Sequence, residues 1–338
     1  MKHSRLPQFD SDRCVHGLLV DASCSACATV CPHQAILLDD DQLGLDENAC
    51  DGCGICENAC PVSAIEIARG DIALSDLSTN RTAYPVCRHS GDTAGHAMSC
   101  VQAMGIRDLC ALYERGVRHI EARAPCADCK AEPCLETAVS DFNKLTESRG
   151  LDGLTLAFLP RDHWIRATSA VFEPTRLENP SRRALFSKFT PDKALADERI
   201  FDLAPAYDTG LPETRSENPI HMFVPGIDPS RCNGCDACWR ACPTPALTLI
   251  NDETQTTRYV VDAGHCVGCR LCLDACDREA VSLLEFETQK SHGVELESGT
   301  CARCGVNYYR PPEYSGTNNV CWICDKRGHE NGLYQKLT

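Results

Sequence analysis

Residues 50–61 of this chain read Cys-Asp-Gly-Cys-Gly-Ile-Cys-Glu-Asn-Ala-Cys-Pro, an unbroken C-x2-C-x2-C-x3-C-P run. Nothing else in the sequence so narrows the fold. Three thiolates at this spacing wrap one iron–sulfur cubane, and the fourth reaches across to a second. The run therefore demands a partner half nearby. Cys24-Ser25-Ala26-Cys27-Ala28-Thr29-Val30-Cys31-Pro32 supplies it, with Asp21 where a first cysteine is expected. Cys14, on a longer loop, is the natural substitute, and an Asp21 carboxylate is the alternative. Crossed ligation assigns Cys14, Cys24, Cys27 and Cys60 to one cluster, and Cys50, Cys53, Cys56 and Cys31 to a second. A pair of zinc sites is the competing reading, and the spacing counts against it.

The same grammar returns near the other end. Cys232-x2-Cys235-x2-Cys238-x3-Cys242-Pro243 is complete, and Cys266-x2-Cys269-x2-Cys272-x3-Cys276 repeats it with Asp277 in place of proline. Crossed ligation gives Cys232, Cys235, Cys238 and Cys276 to a third cluster, and Cys266, Cys269, Cys272 and Cys242 to a fourth. Trp239, inside the motif, is placed to shield a cluster. The duplicated runs resemble the bacterial-type 2[4Fe–4S] ferredoxins and polyferredoxins. That resemblance implies four [4Fe–4S] clusters and a role in electron transport.

The middle of the chain has a different cysteine grammar. Thr82–Cys87, His96–Cys100, Val117–Ala122 and Leu154–Phe158 read as strands, Ile106–Gly116 as a helix with Gly116 as its stop, and a longer helix runs from near Pro133 to Arg149. Alternating strands and helices predict a small parallel α/β sheet. Cys87, Cys100, Cys126 and Cys129 all follow the carboxyl ends of strands, the edge where open α/β sheets bind ligands. The layout of strand-Cys87, Cys100 before a helix ending Glu114-Arg115-Gly116-Val117, and Cys126-x2-Cys129 before a long helix resembles the delta subunit of methyl-viologen-reducing hydrogenases. That resemblance implies a [2Fe–2S] cluster on Cys87, Cys100, Cys126 and Cys129, with Cys134 a possible substitute ligand. A cluster-free domain with buried cysteines is the alternative, and Cys110, on the apolar helix face, reads as core.

At the carboxyl end, Cys301-x2-Cys304 and Cys321-x2-Cys324 have zinc-ribbon spacing. Structural zinc is favoured over a rubredoxin-like iron, and His329 reads as a surface residue. The expected architecture is α+β and multidomain. A ferredoxin-like unit at 1–75 and another at 226–290 flank an α/β domain at 80–160, with a Pro-rich connector at 161–225 and a zinc-ribbon-like tail at 298–338. Within the connector, 181–189 reads as a short basic amphipathic helix.

The 26 cysteines fall almost entirely into metal-ligand spacings, so the thiols must be reduced and a cytoplasmic setting is expected. The formal net charge of −15 argues against nucleic acid and suits docking on basic patches of redox partners. No apolar run is long enough to span a membrane. The chain carries no nucleophile elbow, zincin motif, P-loop or dinucleotide fingerprint. Electron relay between partners such as a hydrogenase, a formate dehydrogenase or a heterodisulfide-type reductase is the expected function, the link to those enzymes coming from the delta-subunit resemblance. Two others stay open: a redox enzyme acting on a thiol or disulfide at the middle domain through Cys134, and an assembly factor for a metalloenzyme.

Overall fold

The computed structural model describes residues 6–39, 42–68, 70, 72–75, 81–91, 97–124, 126, 129–131, 134–169, 171, 211, 216–251, 257–316 and 319–327. The chain divides into two compact units. One comprises Met1–Cys14 and Ser25–Glu217, the other Val15–Cys24 and Asn218–Thr338.

The first unit opens with β1 (Gln8–Phe9). The helix that follows, α1 (Val15–Leu18), belongs to the second unit. Then come α2 (Ala26–Thr29), the hairpin β2 (Ile36–Asp39) and β3 (Gln42–Leu45), α3 (Ile55–Ala59) and β4 (Ile65–Glu66). β1 pairs antiparallel with β4, and β2 with β3. Each short helix sits inside a cysteine run, and each run leads into a strand. The small residues after the last cysteine allow this turn: Ala35 and Ala64 are buried, and the next residue, Ile36 or Ile65, enters the core.

The same unit continues with β5 (Ala73–Leu74), β6 (Arg81–Tyr84), α4 (Ile106–Glu114), β7 (Val117–Ala122), α5 (Leu135–Ser148), β8 (Thr155–Phe158) and α6 (Arg161–Ser169). The sheet order is β5-β6-β7-β8. The last three strands are parallel, and β5 is antiparallel on the edge. α5 buries Leu135, Val139, Phe142 and Leu145, the first three packed with Leu109, Leu112 and Ile120. It ends where Gly150 turns left-handed at φ 69°.

Four details differ from the sequence expectation. The strand expected at His96–Cys100 is a single bridge, Met98 to Cys87, because the chain at once turns down into a buried 3-10 turn, Val101–Ala103. The long helix starts at Leu135, with Cys134 at its cap. The edge strand β5 carries too little sequence to be seen by pattern. α6 occupies the start of the expected connector, anchored by Trp164, which is buried against Tyr84 and Val86. The basic stretch 181–189 and His329 lie outside the described residues.

The second unit is built from β9 (Ile220–Ile227), α7 (Ala237–Arg240), β10 (Leu247–Asn251), β11 (Thr257–Val261), α8 (Leu271–Asp274), β12 (Val281–Thr288), β13 (Gly293–Thr300), β14 (Asn307–Arg310) and α9 (Trp322–Arg327). Its plan repeats that of residues 8–66: an outer strand pair, β9 with β12, brackets an inner hairpin, β10 with β11. The addition is β13, which pairs with β11 at its start and with β14 at its end, giving a sheet ordered β10-β11-β13-β14. The segment Val15–Cys24 is tied into this unit at Ser23, whose N–H and hydroxyl donate to the Asp274 carboxylate at 2.9 and 2.8 Å.

Candidate metal centres

The complete cysteine runs fold the same way at residue resolution. Gly52, Gly234 and Gly268 each have φ 72°, one residue before the second cysteine. One residue after it, Gly54, Asp236 and Arg270 are left-handed again and cap α3, α7 and α8. The third cysteine (Cys56, Cys238, Cys272) then falls in the first turn of the helix. Three of the four closing cysteines follow a rule of their own, from which Cys242, with Pro245 three residues on, departs. Three residues after Cys31, Cys60 and Cys276 stand the left-handed Gln34, Ser63 and Glu279. The next N–H, of Ala35, Ala64 or Ala280, donates to the cysteine Sγ at 3.3, 3.2 and 3.3 Å. Such a bond stabilises a sulfur that carries negative charge.

These loops bring the thiols together in crossed sets. Cys31, Cys50, Cys53 and Cys56 line one small pocket. Cys232, Cys235, Cys238 and Cys276 line another. Cys242 neighbours Cys266, Cys269 and Cys272, and each of these three thiols is pushed up chiefly by burial. Burial likewise drives Cys53, Cys238 and Cys266 up to about 12 and Cys232 to about 11. Buried thiols of this kind give up their protons when a cationic metal centre replaces them. Among the described residues no acceptor meets the buried indole N–H of Trp239, which packs beside Cys232, Cys276, Cys238 and Cys242. A sulfur-rich group held by these thiols fits there. Cys14 is half-buried and close enough to Cys60 to help raise its thiol, whereas Asp21 is exposed.

The middle cysteines gather against one of these sets. Cys87 and Cys100 share a hydrogen bond, which pulls Cys87 below the usual thiol range and pushes Cys100 above it. Cys126 and Cys129 lie on one turn, closed by the Cys129 N–H to the Cys126 carbonyl at 3.0 Å. Gln102, 3% exposed, joins this turn to α5: its amide donates to Cys126 Sγ at 3.4 Å and accepts from Leu135 N–H at 2.9 Å. Cys100 packs with Ile55, Cys53 and Cys129. Arg88, next to Cys87, reaches Asp51 at 3.6 Å, inside the run that carries Cys50 and Cys53. Cys110 is core, as its helix face suggests.

In the tail, the sulfurs of Cys301, Cys304, Cys321 and Cys324 all lie within 4.8 Å of one another. Cys304 and Cys321 are 3.7 Å apart, close to the ~3.8 Å edge that a tetrahedral zinc–thiolate site implies. Among the described residues this is the one group at single-ion spacing. Both knuckles are shaped by backbone N–H groups: Cys321 N–H donates to Cys301 Sγ at 3.2 Å, and Gly305 N–H to the Cys301 carbonyl at 2.9 Å.

Two family models match. Residues 21–70 match the LdpA Fe-S cluster-binding domain, and residues 231–280 match the 4Fe-4S dicluster domain. Both stretches are iron–sulfur cluster-binding domains. The pyruvate synthase subunit PorD of Methanothermobacter marburgensis is 36% identical over 63 residues, covering 19% of this chain and 65% of that protein. A protein named ferredoxin 7Fe, from Hydrogenibacillus schlegelii, is 46% identical over 41 residues, covering 12% of this chain and 53% of its own length. The chain thus spans less than two thirds of either relative. Around these iron–sulfur domains sequence reasoning missed Gln102, Arg107 and the Asp236–Tyr309 pair. Only the position of Asp236, between Cys235 and a helix start, could have singled any of them out.

Proposed function

We propose that this chain is an electron-transfer iron–sulfur protein that relays electrons between larger redox enzymes. The observation that carries the reading is the crossed neighbourhood of thiols: Cys31 with Cys50, Cys53 and Cys56; Cys276 with Cys232, Cys235 and Cys238; Cys242 with Cys266, Cys269 and Cys272. These sets hold three [4Fe–4S] clusters, and the crossed-ligand spacing of the first cysteine runs calls for a fourth that takes Cys60. Cys87, Cys100, Cys126 and Cys129 hold a [2Fe–2S] cluster, and the tail tetrad holds zinc. A cluster supplies a one-electron couple whose potential follows from the hydrogen bonds and burial around its sulfurs. The residues supply that setting: buried thiolates, N–H donors at Cys31, Cys60 and Cys276, and the Gln102 amide at Cys126. That Cys53, Cys100 and Cys129 meet in one small buried cluster supports a middle site beside a cubane site, as a relay requires.

Hydrogenase, formate dehydrogenase and heterodisulfide-type reductase are the partner classes. The PorD likeness adds an enzyme of the pyruvate synthase kind. Free thiols on this scale suit a reducing, cytoplasmic compartment. The test is anaerobic reduction of the purified chain by hydrogen with catalytic hydrogenase, followed by addition of an oxidised one-electron acceptor. Reversible bleaching and recovery of the iron–sulfur absorption is expected. Absorption that hydrogenase cannot bleach, or that does not recover, overturns the relay.

A further inference from the structure

The tail grips the third cysteine set. Asp236 stands directly after Cys235, and its carboxylate accepts hydrogen bonds from two tyrosines. Tyr259, on β11 and 1% exposed, donates at 2.9 Å. Tyr309, on β14 just beyond the Cys301–Cys304 knuckle, donates at 2.8 and 2.7 Å to the two oxygens. The two rings meet edge to face, with centroids 6.4 Å apart. The backbone of β14 presses on the same loop, for a Cβ on Gly234 would stand 2.0 Å from the Tyr309 carbonyl. Further contacts follow the same pattern. Ser315 N–H and hydroxyl donate to the Ser230 carbonyl, both at 3.0 Å. Arg278 donates to the Tyr314 hydroxyl at 3.0 Å, and Lys326 meets Asp277 at 2.6 Å. Residues 230, 234, 236, 277 and 278 flank Cys232, Cys235 and Cys276. Asp236 and Arg278 line the cavity that those thiols share with Cys238.

A carboxylate beside a cluster opposes the arrival of an electron, and hydrogen-bond donors on that carboxylate drain its charge. We propose that Tyr309 is a positioning residue for the Cys232–Cys276 site: the tail, held by its own four-thiolate centre, lays Tyr309 on Asp236, fixes the 232–238 loop and raises the reduction potential there. The proposal rests on the reading of Cys232, Cys235, Cys238 and Cys276 as cluster ligands. It gives the tail metal a purpose beyond folding the tail. A redox-silent ion sets the potential of a neighbouring redox centre through one hydroxyl.

The test is a redox titration of the anaerobically purified full chain, followed by electron paramagnetic resonance, with the relevant wave assigned by its loss in Cys276→Ser. In Tyr309→Phe this wave moves to more negative potential, so that the reduced-to-oxidised ratio at fixed potential falls roughly fivefold, the scale of one typical net hydrogen bond. The other waves stay in place. Asp236→Asn moves the same wave the opposite way, and adding Tyr309→Phe to it produces no further shift. Cys304→Ser, which opens the knuckle, reproduces the Tyr309→Phe shift while the tail loses its metal. If Cys276→Ser costs no iron, the ligand reading itself fails. If it costs iron and Tyr309→Phe leaves every wave unmoved, the clamp alone is overturned. Should Tyr309→Phe lose iron, Asp236→Asn decides: a wave that ignores loss of the carboxylate overturns the proposal.

Discussion

A thiol buried in a metal-free protein prefers to keep its proton, and this chain buries many. Cys53, Cys238 and Cys266 are held up at about 12 and Cys232 at about 11, against an ordinary 9.0, mainly by burial. The sign of the pH dependence follows. The folded, metal-free chain binds these protons more tightly than the unfolded chain. Its advantage is present up to the ordinary thiol range and is lost as pH rises through 11 to 12. Circular dichroism of metal-free protein should show structure lost over that range, earlier than in loaded protein, whose thiolates are already paired with metal. Coincident loss in the two forms would contradict the burial argument. The same scale separates Cys14 from Asp21. Cys14 neighbours Cys60, and Asp21 is exposed. Cys14→Ser should therefore cost iron and one cubane signal, and Asp21→Asn should cost neither. The spacing of the cysteines made them legible as ligands. It left the choice between Cys14 and Asp21 open, because the length of a loop does not say where it returns.

Among the elements, the short helices inside the cysteine runs depend on outside support. A helix of four or five residues cannot hold itself in water. α3 is closed by Arg107 from α4, whose guanidinium donates to the carbonyls of Cys60 at 2.7 Å, Glu57 at 3.3 Å and Asn58 at 3.4 Å, and to the Ser63 hydroxyl. Arg107→Ala should destabilise the first unit by about 2 kcal/mol, read as a lowered Tm, since it removes the charged donor shared by the carbonyls at this helix end. α7 depends on its entry loop instead. Gly234→Ala asks a side chain to adopt φ 72° and to overlap the Tyr309 carbonyl. It should cost about 3 kcal/mol or unseat the loop, with loss of iron from the second unit. The elements most visible in the sequence were those with local period, β7 and α5. β5 and β14 were not visible, because a strand of two to four residues is too short to show an alternating pattern. Arg107 was invisible because the groups it meets, from Glu57 to Ser63, lie far back in the chain.

At the scale of the molecule, the sequence reads as ferredoxin-like runs separated by other modules, whereas the structure groups these into two compact units. In the first, cysteine runs and α/β sheet share contacts from Arg88 to Asp51 and from Cys100 to Cys53. In the second, β13 carries the sheet of the cysteine runs directly into the tail. The repetition of motifs was plain in the sequence. The joints between modules were not, since they are made by side chains such as Tyr309 and Gln102 that belong to no motif. If the middle thiols form a fifth cluster site, Cys87→Ser combined with Cys129→Ser should lower the iron content by about two atoms per chain and leave the four cubane signals in place. An unchanged iron content would remove that site from the relay.

An electron relay of this kind stands on the number of its clusters. Metal analysis of anaerobically purified chain, with electron paramagnetic resonance of the fully reduced protein, should give about 16 irons from four cubanes, about two more from the middle site and about one zinc. A total near eight irons, with zinc making up the difference, would contradict it.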